Sequence, residues 1–301
     1  MDINKIMNTY DVHVAGEAFR IIIHSPFHLH MTDCISLEAI LKRYFLTEIR
    51  MLLNEPRGHR GITGCVITPS QQADFGIVFL HHYYETYFSY SGLFAALTTL
   101  IETGTLTISK SGKYAIETTH GIYHLYVNRK GNEIVSMQMN LQMGEVVENT
   151  DEWELVQVDR LRNYYIFKLP SSIPAISLQH LAAITSWAKP VLRDLNERRR
   201  DIAGIMLTEA LGEGRFCSVT FEGDGFILRS PGVDSTIALL TLAWAKGKKT
   251  LQLIHENLVG SSLTATITDG LCTVPLRPVL TGEHQFVLQA GDPLEEGFLL
   301  K

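Results

Sequence analysis

The chain has little of what marks the more specialised protein classes. Only 19% of its 301 residues are charged, and acids outnumber bases 32 to 26, for a formal charge of −6. A nucleic-acid partner, which needs a basic surface, is not expected. No uncharged apolar run reaches the eighteen or so residues of a membrane span, so no membrane association is expected either. The opening stretch, MDINKIMNTYDVHVAGE, lacks the apolar core of a secretory leader. The four cysteines, Cys34, Cys65, Cys217 and Cys272, are scattered without a CxxC pair. That spacing predicts neither a disulfide framework nor a zinc site and points to a reducing cytoplasm. His28-x-His30 and His81-His82 have no carboxylate spaced to complete a metal site, and no metal is expected.

What the chain does have is apolar material. Hydrophobic residues make up 46% of it, enough for two cores at about 150 residues per domain. The most apolar segment is Ser89 to Gly104, SYSGLFAALTTLIETG. Hydroxyl residues open it, Glu102 is its only charge, and Gly104 stands where a left-handed cap closes a helix. With no polar face, this helix is expected to be buried on all sides. The design recurs at Gly232 to Gly247, GVDSTIALLTLAWAKG, offset by 232 − 89 = 143 residues, close to half the chain. Amphipathic helical patterns begin near Ile35 and Ser177, 54 and 55 residues ahead of these windows (89 − 35 and 232 − 177).

Period-two patterns predict strands at 10–23 around a Gly turn, and at 62–68 and 75–82. Others fall near 105–109, 113–118, 122–128 and 133–142. Residues 144–160 read as acidic and irregular. In the second half, strands are expected at 164–169, 202–208, 215–221, 226–228, 251–256, 263–268, 271–277 and 284–288. A single helix is expected from Ile35 to Leu53, capped by Thr32 or Asp33 and carrying a Glu38–Lys42 pair. A helix from Ser177 to Leu195 should kink or break at Pro190. The expected fold is α/β with two pseudo-symmetric domains. One covers 1–165 with a central helix near 91–103. The other covers 166–301 with a central helix near 234–246, its C-terminal tail packing back on the first.

Six segments carry a family resemblance: DVHVAGEAFRII (11–22), NEPRGHRGITGCVITP (54–69), ADFGIVFLHH (73–82), LRSPG (228–232), ENLVGSSLTATI (256–267) and DPLEEGFLL (292–300). In these the chain resembles the proline racemase family, which includes hydroxyproline 2-epimerases and 3-hydroxyproline dehydratases. The resemblance implies two mirrored domains of the proline racemase and diaminopimelate epimerase kind, each a curved sheet wrapped around a central helix, with the site in the cleft between. It also implies cofactor-independent chemistry and a homodimer. In that chemistry two opposed cysteines exchange a proton at Cα of a proline-like amino acid. A cysteine at a helix N-terminus has a lowered pKa, and the same N–H groups hold the substrate carboxylate.

This sequence departs from the family where the chemistry lies. The motif Met-Cys-Gly-His-Gly falls on Phe88-Ser89-Tyr90-Ser91-Gly92, so Ser89 stands for the first thiol and Ser91 for a ligand-binding histidine. The motif Asp-Arg-Ser-Pro-Cys-Gly-Thr-Gly-Thr falls on Leu228-Arg229-Ser230-Pro231-Gly232-Val233-Asp234-Ser235-Thr236. Gly232 stands for the second thiol and Leu228 for the carboxylate that meets the substrate amine.

The candidate catalytic positions are Ser89, Gly232 and, as a substitute base, Asp234. The candidate ligand-binding set is Tyr90, Ser91, Gly92, Leu228, Val233 and Ser235. Ser89 reads as a helix N-cap or as an activated hydroxyl, and Asp234 as a first-turn carboxylate favoured by the dipole or as a base. Tyr90 either fills the pocket or stacks on a ligand. Cys34, opening a helix, is a thiol of lowered pKa or an incidental one. Glu17, Asn54, Glu55, Arg57 and His59 read as a polar network fixing a turn and a sheet edge. Three functions remain open: a family member that binds a small amino acid or carboxylate without racemising it, a lyase or isomerase using Ser89, or a structural or regulatory protein whose cleft Tyr90 and Leu228 close.

Overall fold

The computed structural model describes residues 3–23, 33–82, 87–131, 133–198, 202–212, 214–247 and 252–300. It divides into two compact units, Met1–Gln138 with Leu276–Lys301, and Met139–Pro275. The division therefore falls at 138/139 rather than at 165/166, and 276–301 belongs to the first unit.

The first unit opens with β1 (Ile3–Val14) and β2 (Glu17–Ile22), joined by a turn in which Ala15 and Gly16 have positive φ. Then come α1 (Cys34–Tyr44), α2 (Leu46–Leu53), β3 (Ile62–Thr68), β4 (Phe75–Leu80), α3 (Tyr90–Glu102), β5 (Lys113–Thr118), β6 (Gly121–Lys130) and β7 (Glu133–Gln138). The second unit contains β8 (Asn140–Gln142), β9 (Glu145–Asn149), β10 (Trp153–Gln157), β11 (Asn163–Lys168), α4 (Leu181–Arg198), β12 (Gly204–Gly212) and β13 (Arg215–Glu222). It continues through α5 (Val233–Ala245), β14 (Gln252–Asn257), β15 (Ser262–Thr268) and β16 (Leu271–Thr273). The chain then returns to the first unit as β17 (Val279–Gln289).

Two curved mixed sheets result, in the orders β17-β1-β2-β3-β4-β5-β6-β7 and β8-β16-β15-β14-β13-β12-β11-β10-β9. Their internal logic is the same. The parallel pairs are β2–β3 and β4–β5 in one sheet, and β11–β12 and β13–β14 in the other. A parallel pair requires a crossover, and those crossovers are the helices: α1 and α2, then α3, and in the second unit α4, then α5. The two central helices begin at Tyr90 and Val233, again 143 residues apart (233 − 90).

Each sheet carries a helix layer on either face. On one face of the first sheet, Leu37, Leu41, Ile49 and Leu52 of α1 and α2 pack on Ile22, Ile62, Val66 and Val78. In the second unit Ile184, Ala188, Leu192 and Leu195 of α4 pack on Tyr165, Ile205, Leu207 and Val219. The central helices lie on the opposite faces. Every residue of α3 from Tyr90 to Ile101 is buried, and α5 is buried except at Asp234 and its C-terminal end.

Several local expectations are corrected. The helix expected over 35–53 is two helices, because Phe45 leaves helical geometry at φ −127° while its ring packs on the core under α1 and α2. Asp33 caps α1, accepting from the Ser36 N–H at 2.9 Å, and Glu38 pairs with Lys42 at 3.1 Å; Thr32 lies outside the described residues. Residues 105–109 form no strand, whereas 144–160 hold two, β9 and β10. The run 133–142 splits between the two sheets. Helix α4 runs through Pro190. Around 226–228 there is only an isolated bridge from Ile227 to Phe221. No helix among the described residues is long and apolar enough to cross a membrane.

The central helices should set the stability of their units. Phe94 of α3 is 0% exposed, so Phe94→Ala is expected to cost about 3–5 kcal/mol in urea unfolding. Ile35, 65% exposed on α1, should change stability by less than about 0.5 kcal/mol when cut to Ala.

Candidate active site

The start of α3 is framed by the end of β4, the start of β2 and its own first turn. Ser89 is the N-cap of α3, in extended geometry at φ −133° and ψ 125°. The Gly92 N–H donates to its Oγ at 3.1 Å, the ordinary capping bond. The hydroxyl in turn donates to Oε1 of Glu17 at 3.4 Å, in a buried setting. Ser89 therefore spends one lone pair on the helix and directs its proton at a carboxylate. Gly92 is needed for space: a Cβ there would stand 2.4 Å from Cε1 of Phe79 and 3.2 Å from Cε1 of Phe19. Ser91 is buried, and Tyr90, at 7% exposure, is built into an aromatic cluster. Its ring lies 5.0 Å from Phe88 and 6.0 Å from Tyr123, and Phe88 also meets Phe79 at 5.6 Å and His120 at 5.6 Å.

In the second unit, α5 starts from Gly232, an N-cap without a side chain, at φ 76° and ψ 137°. A non-glycine residue there would be strained. A Cβ on Gly232 would also lie 2.8 Å from Cδ2 of Leu228, 2.8 Å from Oγ of Ser235 and 3.3 Å from Oδ1 of Asp234. The volume that a thiol-bearing side chain would enter is already occupied. Ser235 is fully buried, and its Oγ has no hydrogen-bond partner among the described residues. Val233 is buried beside it.

Asp234 is held within its own unit. Its Oδ2 accepts from the Tyr164 hydroxyl at 2.7 Å and from Arg162 at 3.5 Å, and Oδ1 accepts from the Ser235 N–H at 3.1 Å. Burial, then the Asp234 charge, pushes the Tyr164 phenol well above its usual range, so it stays a donor. The arrangement gives Asp234 the part of a first-turn carboxylate on the helix dipole, with its charge met by Arg162.

Behind Gly232 runs a buried relay that sequence reasoning did not find. Thr236 Oγ1 donates to the Gly232 carbonyl at 2.5 Å and meets His255 Nδ1 at 2.8 Å; His255 Nε2 meets Ser218 Oγ at 2.6 Å. Because the Thr236 proton goes to the carbonyl, Nδ1 must carry the imidazole proton and Nε2 must accept from Ser218. A neutral ring satisfies all three bonds. Burial alone depresses the His255 pKa to about 3. The only sequence signal was the alternation of LIHENL, which puts His255 on an inward-facing strand position.

The remaining candidates lie elsewhere. The NEPRGHR loop pins the tail: Asn54 Nδ2 donates to the Glu296 carbonyl at 3.0 Å, Glu55 bridges Phe298, and Arg57 pairs with Asp292. His59 Nδ1 accepts the Gly61 N–H at 3.1 Å. Asn54 also meets His82 Nδ1 at 3.1 Å, while His81 stacks on Tyr87 at 4.7 Å. His28 and His30 lie outside the described residues. The reading of Cys34 as a thiol of lowered pKa is overturned: desolvation, then the Glu117 charge, pushes it up to about 12. Burial likewise raises Cys65, Cys217 and Cys272. No cysteine of this chain is held as a thiolate.

Two outcomes test this geometry. Gly232→Cys should destabilise by about 2–6 kcal/mol, from backbone strain of ~1–3 and overpacking of ~1–3. Adding Ser235→Gly and Leu228→Ala should recover the packing part, giving non-additive urea midpoints; strict additivity would contradict the crowding. The second concerns pH. The unfolded state binds a proton at His255 below about pH 6.5, and the folded state does so only near 3. The His255 contribution is therefore complete above 6.5 and is lost as pH falls toward 3, with a slope of up to about 1.4 kcal/mol per unit. His255→Gln should shallow the acid limb of the stability profile between pH 6.5 and 4; an unchanged limb would contradict the assignment.

Comparison with known proteins agrees with this architecture. A family model described as proline racemase matches residues 9–299. The chain is 29% identical to a trans-3-hydroxy-L-proline dehydratase of Bacillus cereus and 24% identical to a proline racemase of Clostridioides difficile, in each case across 100% of both chains. Among solved structures, a hydroxyproline epimerase from Agrobacterium vitis, crystallised with trans-4-hydroxy-L-proline, superposes with a TM-score of 0.80. It is 20% identical, covering 100% of this chain and 96% of its own. A phenazine biosynthesis protein of the PhzF family from Bacillus anthracis shares the fold more distantly, with a TM-score of 0.62 at 14% identity over 94% of this chain and 99% of its own. With the family model spanning nearly every residue, this chain belongs to the proline racemase family.

Proposed function

We propose that this protein binds a small amino acid or carboxylate of the hydroxyproline class at a buried helix start, that of α3 or that of α5, and does not carry out two-thiol racemisation. The observation that carries the reading is the state of the second thiol position. Gly232 offers no proton acceptor, and the space beside it is filled by Leu228 and Ser235. Abstracting a proton from one face of Cα and returning one to the other needs a base on each side, and this chain supplies no thiolate for either. The helix starts themselves persist, and the N–H groups of a helix's first turn favour an anion. The dehydratase, racemase and epimerase relatives make a proline-like ligand the natural class to test.

Recognition should rest on the carboxylate. Leu228 stands where the family resemblance places the carboxylate that meets a substrate amine, and Asp234 is engaged by Tyr164 and Arg162. No cofactor enters this reading. A reducing cytoplasm suits the four free, buried cysteines, and a homodimer is the assembly to look for.

A second reading rests on the Ser89–Glu17 hydrogen bond. In this reading the buried Ser89–Glu17 pair takes the Cα proton of a 3-hydroxyproline and returns it to the departing C3 hydroxyl, so that the C3–O bond breaks, water leaves and a Cα–C3 double bond forms. Water loss from trans-3-hydroxy-L-proline, abolished by both Ser89→Ala and Glu17→Gln, would establish it.

Calorimetry separates these. The binding reading expects pyrrole-2-carboxylate, which has no ammonium group, to bind within about tenfold of L-proline and trans-4-hydroxy-L-proline. Absence of heat with all three compounds, together with no thermal shift, would remove it and leave the structural role.

A further inference from the structure

The C-terminal half of α5 borders a cavity that the α5 start does not use. Leu239, Leu242, Ala243 and Lys246 line one side of a space of about 480 Å³. They fall at i, i+3, i+4 and i+7, a single helix face. At 1.5 Å per residue this wall begins roughly 10 Å along the helix from Gly232 (239 − 232 = 7 residues). The facing wall is the sheet of the same unit, where Ile166, Ala210 and Phe216 supply apolar surface. Ile166 and Leu239 are almost wholly buried, so the interior of the space is dry in character. Its volume lies in the range of small-molecule sites, which are concave, mostly apolar and oriented by a few polar groups.

The charges around it are asymmetric. Glu154 is buried and paired with Lys246. The Glu209 carboxylate accepts the Ile176 N–H at 2.9 Å. Both acids of the lining are therefore committed. Lys168, exposed at the end of β11, enters no ion pair among the described residues. Lys168 is therefore the cation of the lining that no carboxylate pairs with among the described residues, and it borders mostly apolar surface. We propose that this cavity is a second binding site, for a medium-chain or aryl carboxylate. Its apolar body lies along Leu239, Leu242, Ala243 and Phe216, and its carboxylate meets the Lys168 ammonium.

The proposal makes the acid group and the chain length separately measurable. Titration calorimetry of the full chain with hexanoate, octanoate and octan-1-ol is the test. Affinity should rise about fourfold per added methylene. Octanoate should bind at least tenfold more tightly than octan-1-ol. Lys168→Met should erase that preference while leaving octan-1-ol unchanged. Ala243→Phe, which fills the chamber, should weaken both ligands at least tenfold. Should Ala243→Phe fail to fold by circular dichroism, Lys168→Met still decides, since its side chain is on the surface. No binding at millimolar octanoate, equal affinity for acid and alcohol, or octanoate binding insensitive to Lys168→Met overturns the site.

Discussion

Everything in this protein depends on enclosing two central helices that have no polar face. A helix with a polar face can leave its terminal groups to water, but α3 and α5 are buried from their first turns. Their N-terminal polar groups must then be met by the protein or by a ligand. The chain meets them in two ways. At α3 the Ser89 hydroxyl takes the Gly92 N–H and passes its own proton to Glu17. At α5 the Asp234 carboxylate takes the Ser235 N–H, and Thr236, oriented by His255, secures the Gly232 carbonyl. The same demand for enclosure makes Gly92 and Gly232 steric necessities rather than flexible points, because neighbouring side chains already occupy the space of a Cβ.

Positions 228, 232 and 235 form one sterically coupled set. Removing a side chain at 232 opens space; Leu228 and Ser235 fill it. Leu228 stands where the resemblance expects a carboxylate for a substrate amine, and Asp234 is engaged by Arg162 and Tyr164. On the proposed reading, recognition rests on backbone and helix dipole, which favour negative charge whatever the side chains are. Carboxylate binding is thus more robust to substitution than proton transfer, which needs a group of matched pKa on each face of the carbon.

Much of the architecture was legible in the sequence because it rests on local signals. Both buried helices announced themselves by apolar runs with closing glycines, and Gly104 and Gly247 do adopt positive φ. The repeat offset of 143 residues carried over unchanged to the two helix starts. What escaped depended on distant partners or on exposed edges. Strand β9 alternates between exposed and half-buried positions, so its pattern was too polar to read. The unit boundary fell at 138/139 rather than 165/166 because β9 and β10 continue the second sheet from β11, whereas the expected return of the C-terminal tail to the first unit is seen as β17 beside β1. Cys34 does open a helix, but desolvation outweighs the dipole and raises its thiol. The roles of Tyr164 and His255 came from residues 70 and 19 positions away from their partners, which no window of sequence displays.

The central claim is that this fold holds a proline-like ligand without exchanging its Cα proton. It is tested most directly by incubating the intact protein with L-proline and trans-4-hydroxy-L-proline in deuterium oxide and following the Cα resonance by NMR. The account predicts full retention of the Cα proton and of L configuration, with ligand binding detected in the same sample. Deuterium appearing at Cα, or the D enantiomer accumulating at a rate proportional to protein concentration, would contradict it.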